Sequence, residues 1–443
     1  MKKTFAIGGV HPHDSKLSRQ SAVEELPLPE TVAISMAQHL GAPATPIVAV
    51  GDKVLVGQLI AEPSGFVSAP VHSSVSGTVK AIESRADLAG NPVPHVVIEV
   101  EGDAWLPEID RTPNFVGDMT LSAEQILTRI KEAGIVGLGG AAFPTHIKLS
   151  PPPGKKAEVL ILNGTECEPY LTSDDHIMRD RPDEIAMGAQ IMMKALGVGR
   201  CYIGIEENKP EAIKAMRIAA IRFGGLEVVR LKKKYPQGGE KQLIDAIIGR
   251  RVPSLGLPID TGAVVQNVGT ALAVYEAVQK HKPLIDNMIT VTGRCLPVQK
   301  NYLVRIGTPF SKLLEAVGGI PENAAKIISG GPMMGKAISN LEATTVKASS
   351  AVLVLTEKET KRRPEGPCIR CGKCADACPM GLQPFLLYKL AKMNRPDEME
   401  QEKVFDCIEC GCCLYTCPAG IPLLDLIRIG KADVMKIMRS RKK

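Results

Sequence analysis

Nine of the twelve cysteines fall between Cys368 and Cys417, and their spacing decides what chemistry they can do. Two runs stand out: Cys368-Ile-Arg-Cys371-Gly-Lys-Cys374-Ala-Asp-Ala-Cys378-Pro379 and Cys407-Ile-Glu-Cys410-Gly-Cys-Cys413-Leu-Tyr-Thr-Cys417-Pro418. Both read C-x2-C-x2-C-x3-C-P, the spacing of two-cluster bacterial ferredoxins. Three closely spaced thiolates wrap one face of an iron–sulfur cube, and the fourth, displaced onto a following helix, reaches the other cube. One [4Fe-4S] cluster is therefore assigned to Cys368, Cys371, Cys374 and Cys417, and the second to Cys407, Cys410, Cys413 and Cys378. Cys412 is a surplus thiol in the second run. Structural zinc is the alternative, but a zinc site needs only four thiolates and no duplicated run. Cys167, Cys201 and Cys295 are scattered and are expected to be packed rather than liganding.

A second set of chemistry-bearing residues lies upstream. The stretch GLGGAAFPTHIKL (Gly137 to Leu149) is rich in glycine like a phosphate loop, yet it lacks both the Gly-Lys-Ser/Thr ending and the GxGxxG spacing. Three further segments carry amides, carboxylates and glycines: Asn163-Gly-Thr-Glu166-Cys-Glu168-Pro169, Tyr235-Pro-Gln-Gly238-Gly239-Glu240-Lys241, and Gln266-Asn267.

The elements around these segments alternate from about Leu121 to Lys282. A capping-box spacing, Ser122-Ala-Glu-Gln125, opens a helix that Gly134 ends. Strands are predicted at Val159 to Leu162, Cys201 to Ile205, Val228 to Leu231 and Ala263 to Val265. Helices are predicted at Pro182 to Leu196, from near Pro210, at Lys241 to Ile248 and at Gly269 to Val278. Repeated strand–helix units make a mostly parallel sheet, whose ligands sit beyond the carboxyl ends of the strands. Each loop alone would serve as an ordinary turn. Three on one rim beside GLGGAAFP point to a ligand site.

Composition is that of a folded multidomain protein: 443 residues, 44% hydrophobic, 23% charged and only 4% aromatic. A net charge of +6 is too modest to mark a nucleic-acid surface, and nucleic acid is not an expected partner. The apolar piece after Lys2-Lys3 stops at His11-Pro12-His13, so no signal peptide is read. No apolar run reaches the ~18 residues that span a bilayer. A soluble chain, or one held peripherally through partners, is expected.

The set GLGGAAFPTHIKL, LNGTECEP, YPQGGEKQL and QNVGT resembles the flavin and NADH site of the flavoprotein subunit of respiratory complex I. With the two ferredoxin motifs and the opening GGVHPHDSKLSRQ, the chain is similar throughout to the RnfC family of Rnf electron-transport complexes. The resemblance implies FMN held by Gly137, Gly139, Gly140, Lys148, Asn163 and Asn267. It places Glu166 and Glu168 as the acidic pair near the isoalloxazine and nicotinamide, Phe143 as a stacking face for NADH, and Gly239 and Glu240 as the helix start lining the site. Three departures from the complex I pattern stand out. Lys241 replaces a carboxylate, Leu138 a basic residue and Thr165 an aspartate.

The resemblance implies a multidomain α/β fold. Residues 1–118 are expected to form a lipoyl-like barrel-sandwich β domain, and 119–282 a Rossmann-like domain binding FMN and NAD. Residues 283–355 are expected to form a small ubiquitin-like domain, and 356–443 a two-cluster ferredoxin domain with a C-terminal helix. The barrel lacks a hairpin lysine for lipoylation and reads as a docking module. His11 and His13 are expected in a capped turn, and Lys361-Arg362-Arg363-Pro364 in a solvated linker. The tail from Pro422 to Lys443 is read as packing on the ferredoxin domain, with a membrane-surface helix as the alternative.

The function implied is electron transfer between NAD(H), FMN and two [4Fe-4S] clusters, in a ferredoxin:NAD oxidoreductase whose ion pumping belongs to other subunits. The expected partners are membrane-embedded and cluster-carrying subunits, with ferredoxin reached indirectly, at the cytoplasmic face of the membrane. A flavin-dependent cobalamin reductase and a cluster-carrying scaffold with an empty flavin fold are the alternatives.

Overall fold

The computed structural model describes residues 2–441. Lys442 and Lys443 of the basic tail lie outside the described residues. At the centre is a four-stranded parallel sheet ordered Leu226–Leu231, Cys201–Glu206, Val159–Asn163, Ala263–Asn267. Its strands read as near-continuous apolar runs because helices cover both faces. Leu160, Leu162, Cys201, Ile203 and Ile205 face one core, and Val159, Ile161, Val229 and Val265 face the other. Pro182–Leu196 and Val268–Gln279 pack against each other so closely that a Cβ on Gly188 would meet the Ala271 carbonyl oxygen at 1.9 Å. Ala123–Glu132 begins with the expected capping box at Ser122. A helix the periodicity did not reveal, Ser173–Asp180, follows the acidic loop. Its mean hydropathy is low and five of its eight residues are buried, polar ones among them, so no apolar stripe announces it.

Thr31–Ser35, Pro92–Val100, Gly77–Ala86 and Lys53–Val54 form one antiparallel sheet of the N-terminal sandwich. Thr45–Pro46, Leu59–Glu62 and Val71–His72 form the other. Residues 2–25 take no part in it. Lys3 bridges Leu231 and Val10 bridges Tyr235 on the flavin-type domain, and Val23–Glu25 adds a parallel edge strand beside Lys300–Arg305. That strand completes a six-stranded sheet with Asp286–Thr292, Ala351–Thr356, Ala324–Ser329 and Lys336–Ala337. The chain start is thus a strap tying the central and third domains together.

Lys347 joins three of these units. Its buried Nζ donates to the Pro70 carbonyl of the sandwich (2.8 Å) and to the Gly134 carbonyl just before the glycine loop (2.7 Å). Burial pushes its ammonium down to about 7, against about 10.4 in an unfolded chain. Between those values folding expels a proton, so the stability contribution of Lys347 grows as pH rises and is smallest below 7. Urea unfolding should therefore show wild type gaining on Lys347→Met between pH 7 and pH 9.5. A constant gap between the two would contradict a neutral amine here.

In the C-terminal domain the helices Lys373–Asp376 and Cys412–Thr416 occupy equivalent places in the two cysteine runs. Arg370 and Glu409 both adopt positive φ (55° and 57°), followed by Gly372 and Gly411 at 76° and 79°. The two loops therefore repeat in backbone as well as in sequence. Leu423–Arg441 lays Ile427 and Val434 on a core with Leu387, Leu390 and Met399, and Lys431 donates to the Cys407 carbonyl (2.8 Å). One face of the tail helix is thus taken by packing. Residues 361–364 are exposed, with Arg362 ion-paired to Asp425.

Candidate functional site

The glycine loop turns back on itself. The Gly137 amide donates to the Phe143 carbonyl (2.9 Å), and Val136 bridges Pro144. Gly139 takes φ +71°, and no atom lies within 4 Å of where a Cβ on Gly140 would stand. The loop therefore presents bare backbone to an open face. Phe143 is half-buried beside it. Leu138 points the other way: it is buried in the core, its amide donating to Thr270 Oγ1 (2.9 Å). The position where the complex I pattern carries a basic side chain is here a packing position. Lys148, at the end of the short helix Thr145–Lys148, forms an ion pair with Glu240 at the start of Glu240–Ile248.

Two asparagines close the rim at the strand ends. Asn163 donates to the Gly238 carbonyl (2.8 Å) and accepts from the Thr165 amide and hydroxyl. Asn267 caps the helix Val268–Gln279 by accepting from the Gly269 amide (2.7 Å). Its Nδ2 donates to Asp174 (2.8 Å) and lies 3.2 Å from the Cβ position of Gly139. A side chain on Gly239 would strike Gln242, so the backbone there also stays bare. Gly137, Gly139, Gly140, Lys148, Asn163, Gly238, Gly239, Glu240 and Asn267 thus belong to one rim, knit by these contacts. Lys241 leaves it, with its ammonium 3.8 Å from Asp406 of the ferredoxin domain.

The acidic loop is held from beneath by two lysines. Lys16 Nζ donates to the carbonyls of Glu166 (2.8 Å), Glu168 (3.0 Å) and Leu171 (2.5 Å), and Lys209 Nζ donates to that of Thr165 (2.7 Å). Nothing in the sequence distinguishes Lys209, and Lys16 is legible only as part of the opening motif. Glu166, at φ 43°, accepts from the Asp174 amide (2.8 Å) with Oε1, while its buried Oε2 has no hydrogen-bond partner. Burial, then the Glu166 charge, pushes the Asp174 carboxyl up to about 7. Asp174 is thus a site residue that sequence reading missed.

Glu168 is engaged elsewhere. Its two oxygens accept from the amides of Met333 (3.1 Å) and Met334 (2.8 Å) in the third domain, and burial pushes the carboxyl up to about 7. The acidic pair implied by the resemblance is therefore split. Glu166 keeps one oxygen without a hydrogen bond, 3.8 Å from the Lys16 ammonium, whereas both Glu168 oxygens accept one.

The two cysteine sets differ in exposure. Cys378, Cys410 and Cys413 are 7–8% exposed and Cys407 is half-buried, whereas Cys368 and Cys371 are exposed and Cys374 and Cys417 half-buried. Burial first, then repulsion from Cys407, Cys410 and Cys378, pushes the Cys413 thiol up. Repulsion from Cys417 similarly adds to burial at Cys374. The fourth cysteine of each run is thus a neighbour of the opposite set. The Leu382 amide donates to Cys378 Sγ (3.4 Å), the kind of contact that stabilises a ligating thiolate. Among the described residues no three His, Cys, Asp or Glu side chains are close enough to share a single metal ion. A four-iron cube spreads its thiolates farther apart than one zinc ion does, because each binds a different iron. Cys412 is fully buried, its Sγ 3.9 Å from the Tyr235 carbonyl, and Cys201 lies in the core. Cys295 and Cys167 are half-buried, contacting the Val354 carbonyl and the Gly238 amide. His13 caps a turn at Ser15, and His11 reaches the Lys233 carbonyl.

The buried set is sealed against the central domain. Tyr235 OH donates to the Cys410 carbonyl (2.9 Å), and the Gly9 amide donates to that of Ala377 (2.9 Å). A Cβ on Gly8 would stand 2.4 Å from the Cys378 carbonyl oxygen.

A bare glycine loop, an amide-lined strand rim and two abutting cysteine sets define an iron–sulfur flavoprotein, and four family models match accordingly. These are the RnfC barrel sandwich hybrid domain (residues 4–103), the Nuo51 FMN-binding domain (130–276), the SLBB domain (288–337) and the 4Fe-4S dicluster domain (361–418). The chain is 48% identical over 406 residues to the RnfC-type protein of the proton-translocating ferredoxin:NAD(+) oxidoreductase complex of Clostridium ljungdahlii, covering 91% of this chain and 87% of that protein. It is 45% identical over 434 residues to the Na(+)-translocating counterpart of Acetobacterium woodii, covering 97% and 96%. The chain belongs to the RnfC family, a subunit family of ion-translocating ferredoxin:NAD oxidoreductase (Rnf) complexes.

The residues present fit the cofactors of that family. Open space at Gly140, the amides of Asn163 and Asn267 on the rim, and a Glu166 Oε2 that accepts no hydrogen bond suit a flavin. Eight thiols in two sets suit two [4Fe-4S] clusters.

Proposed function

We propose that the protein is the NAD(H)-reactive subunit of an Rnf-type complex, passing electrons between NAD(H), FMN and two [4Fe-4S] clusters while partner subunits move ions. The observation that carries this reading is the direct seal onto the buried cysteine set made by Tyr235 of the flavin domain and by Gly9 of the strap lying on it. Bound FMN would supply the conversion between a two-electron hydride and single electrons.

The chain's own groups divide the remaining work. Backbone at Gly137, Gly139 and Gly140, with Lys148, Asn163 and Asn267, binds and orients the flavin. Glu166 supplies a buried acceptor, Phe143 a face for the nicotinamide, and Gly239 and Glu240 the opposite wall. Cys378, Cys407, Cys410 and Cys413 hold the inner cluster, and Cys368, Cys371, Cys374 and Cys417 hold the outer one. No helix among the described residues is long and apolar enough to cross a membrane. In this reading, attachment at the cytoplasmic face comes through membrane-embedded and cluster-carrying subunits, with ferredoxin reached indirectly. The relatives named for proton and for sodium translocation are 48% and 45% identical to this chain.

Anaerobic reconstitution with iron, sulfide and FMN should give about eight iron per chain and NADH-dependent reduction of an artificial acceptor. Full iron loading with no flavin uptake and no NADH oxidation would contradict the reading.

A further inference from the structure

We propose that Glu168 is a positioning residue for electron transfer: it clamps the Gly330–Gly335 turn of the third domain against the loop of the inner cluster. This rests on the functional reading proposed for the chain and departs from the role the complex I resemblance implies for the residue, a place beside the nicotinamide.

The geometry is a chain of close contacts across three domains. Both Glu168 oxygens accept successive amides, those of Met333 and Met334. The carboxylate lies so close to the turn that a Cβ on Gly331 would meet Oε2 at 2.2 Å, and one on Gly335 would meet the Gly331 carbonyl oxygen at 2.3 Å. On its far side the turn touches the cluster loop: the Met333 carbonyl oxygen lies 3.2 Å from the Cβ position of Gly411. Met333 also packs against the cluster of Val10, Tyr235, Ala377, Cys410 and Cys412. Glu168 is therefore linked to the residues between Cys410 and Cys413 by one turn of backbone.

A carboxylate suits this task because it offers two acceptor oxygens to two amides. Glutamine offers one acceptor, and alanine none. Each transfer takes one electron from the reduced flavin and adds it to the inner cluster, the two electrons having come from NADH as hydride, and no covalent bond of the protein changes. The clamp acts on the spacing and rigidity of the contact across which the electron moves.

The test uses the full chain carrying clusters and FMN, as Glu168→Gln and Glu168→Ala. Hydrogen exchange should rise in residues 330–335 and, through the turn, in residues 407–413, more for alanine than for glutamine. In rapid mixing with NADH, bleaching of the flavin should keep its wild-type rate while the reduced inner-cluster EPR signal appears several-fold more slowly. Slower bleaching with an unchanged cluster step would place Glu168 at the nicotinamide and overturn the proposal, as would exchange unchanged in both segments. If the alanine variant does not fold, the glutamine variant carries the same comparison. A wild-type protein that takes up no flavin would fail the functional reading alone, since the exchange measurement still judges the clamp.

Discussion

Cys378→Ser is expected to remove the buried cluster and leave the exposed one, with iron falling from about eight to about four per chain. Cys378 lies in the first cysteine run, so a reading in which each run holds its own cluster predicts the opposite loss. Beyond burial, its thiol feels repulsion from Cys410, and it adds in turn to the upward push on Cys413 and Cys407. Serine cannot supply the thiolate that iron needs, and losing one of four ligands typically costs the cluster. With the inner cluster gone, NADH oxidation by a small artificial acceptor should persist, while reduction of the outer cluster by NADH should be abolished. EPR of the reduced variant checks both statements. Loss of the outer signal with retention of the inner one would reverse the assignment.

The second large effect is expected at Lys148. Its ammonium pairs with Glu240 across the mouth between the glycine loop and the helix Glu240–Ile248. A flavin phosphate arriving there would exchange one anionic partner for another. Lys148→Ala removes a charge-assisted contact worth about 1.5–3 kcal/mol, or roughly 10- to 150-fold in affinity. FMN titration followed by flavin fluorescence should show that weakening, and it should shrink at high salt because both side chains are partly exposed. Glu240→Gln should leave FMN binding no weaker than in wild type, since it releases the lysine. Equal affinities for wild type and Lys148→Ala would put the phosphate elsewhere.

Local signals carry much of the fold into the sequence. Ser122, Pro182 and Pro210 start helices where caps and N-terminal prolines say they should. The parallel strands are legible because burial on both faces makes them continuous apolar runs. Asn163 and Asn267 are legible as strand ends, and the cysteines by spacing alone.

What stays hidden is non-local. Val23–Glu25 has three residues and no apolar alternation, and only its pairing with Lys300–Arg305 makes it a strand. No local pattern marks the burial of Lys16, Lys209 and Lys347: Lys16 and Lys347 are covered by domains distant in sequence, and Lys209 by the Thr165 loop of its own domain. Leu138 reads as a lost contact in the site, whereas the loop turns it into the core. The motif sets Glu168 beside the nicotinamide, and a turn more than 160 residues downstream claims both of its oxygens.

Electrons are expected to pass the centres in the order nicotinamide, flavin, buried cluster, exposed cluster. Freeze-quench EPR of the reconstituted protein after mixing with NADH tests it most directly, with the Cys378→Ser protein identifying which signal is which. The buried cluster's signal is expected first and the exposed cluster's second. Reduction of the exposed cluster first, or its reduction by NADH in Cys378→Ser at the wild-type rate, would contradict it.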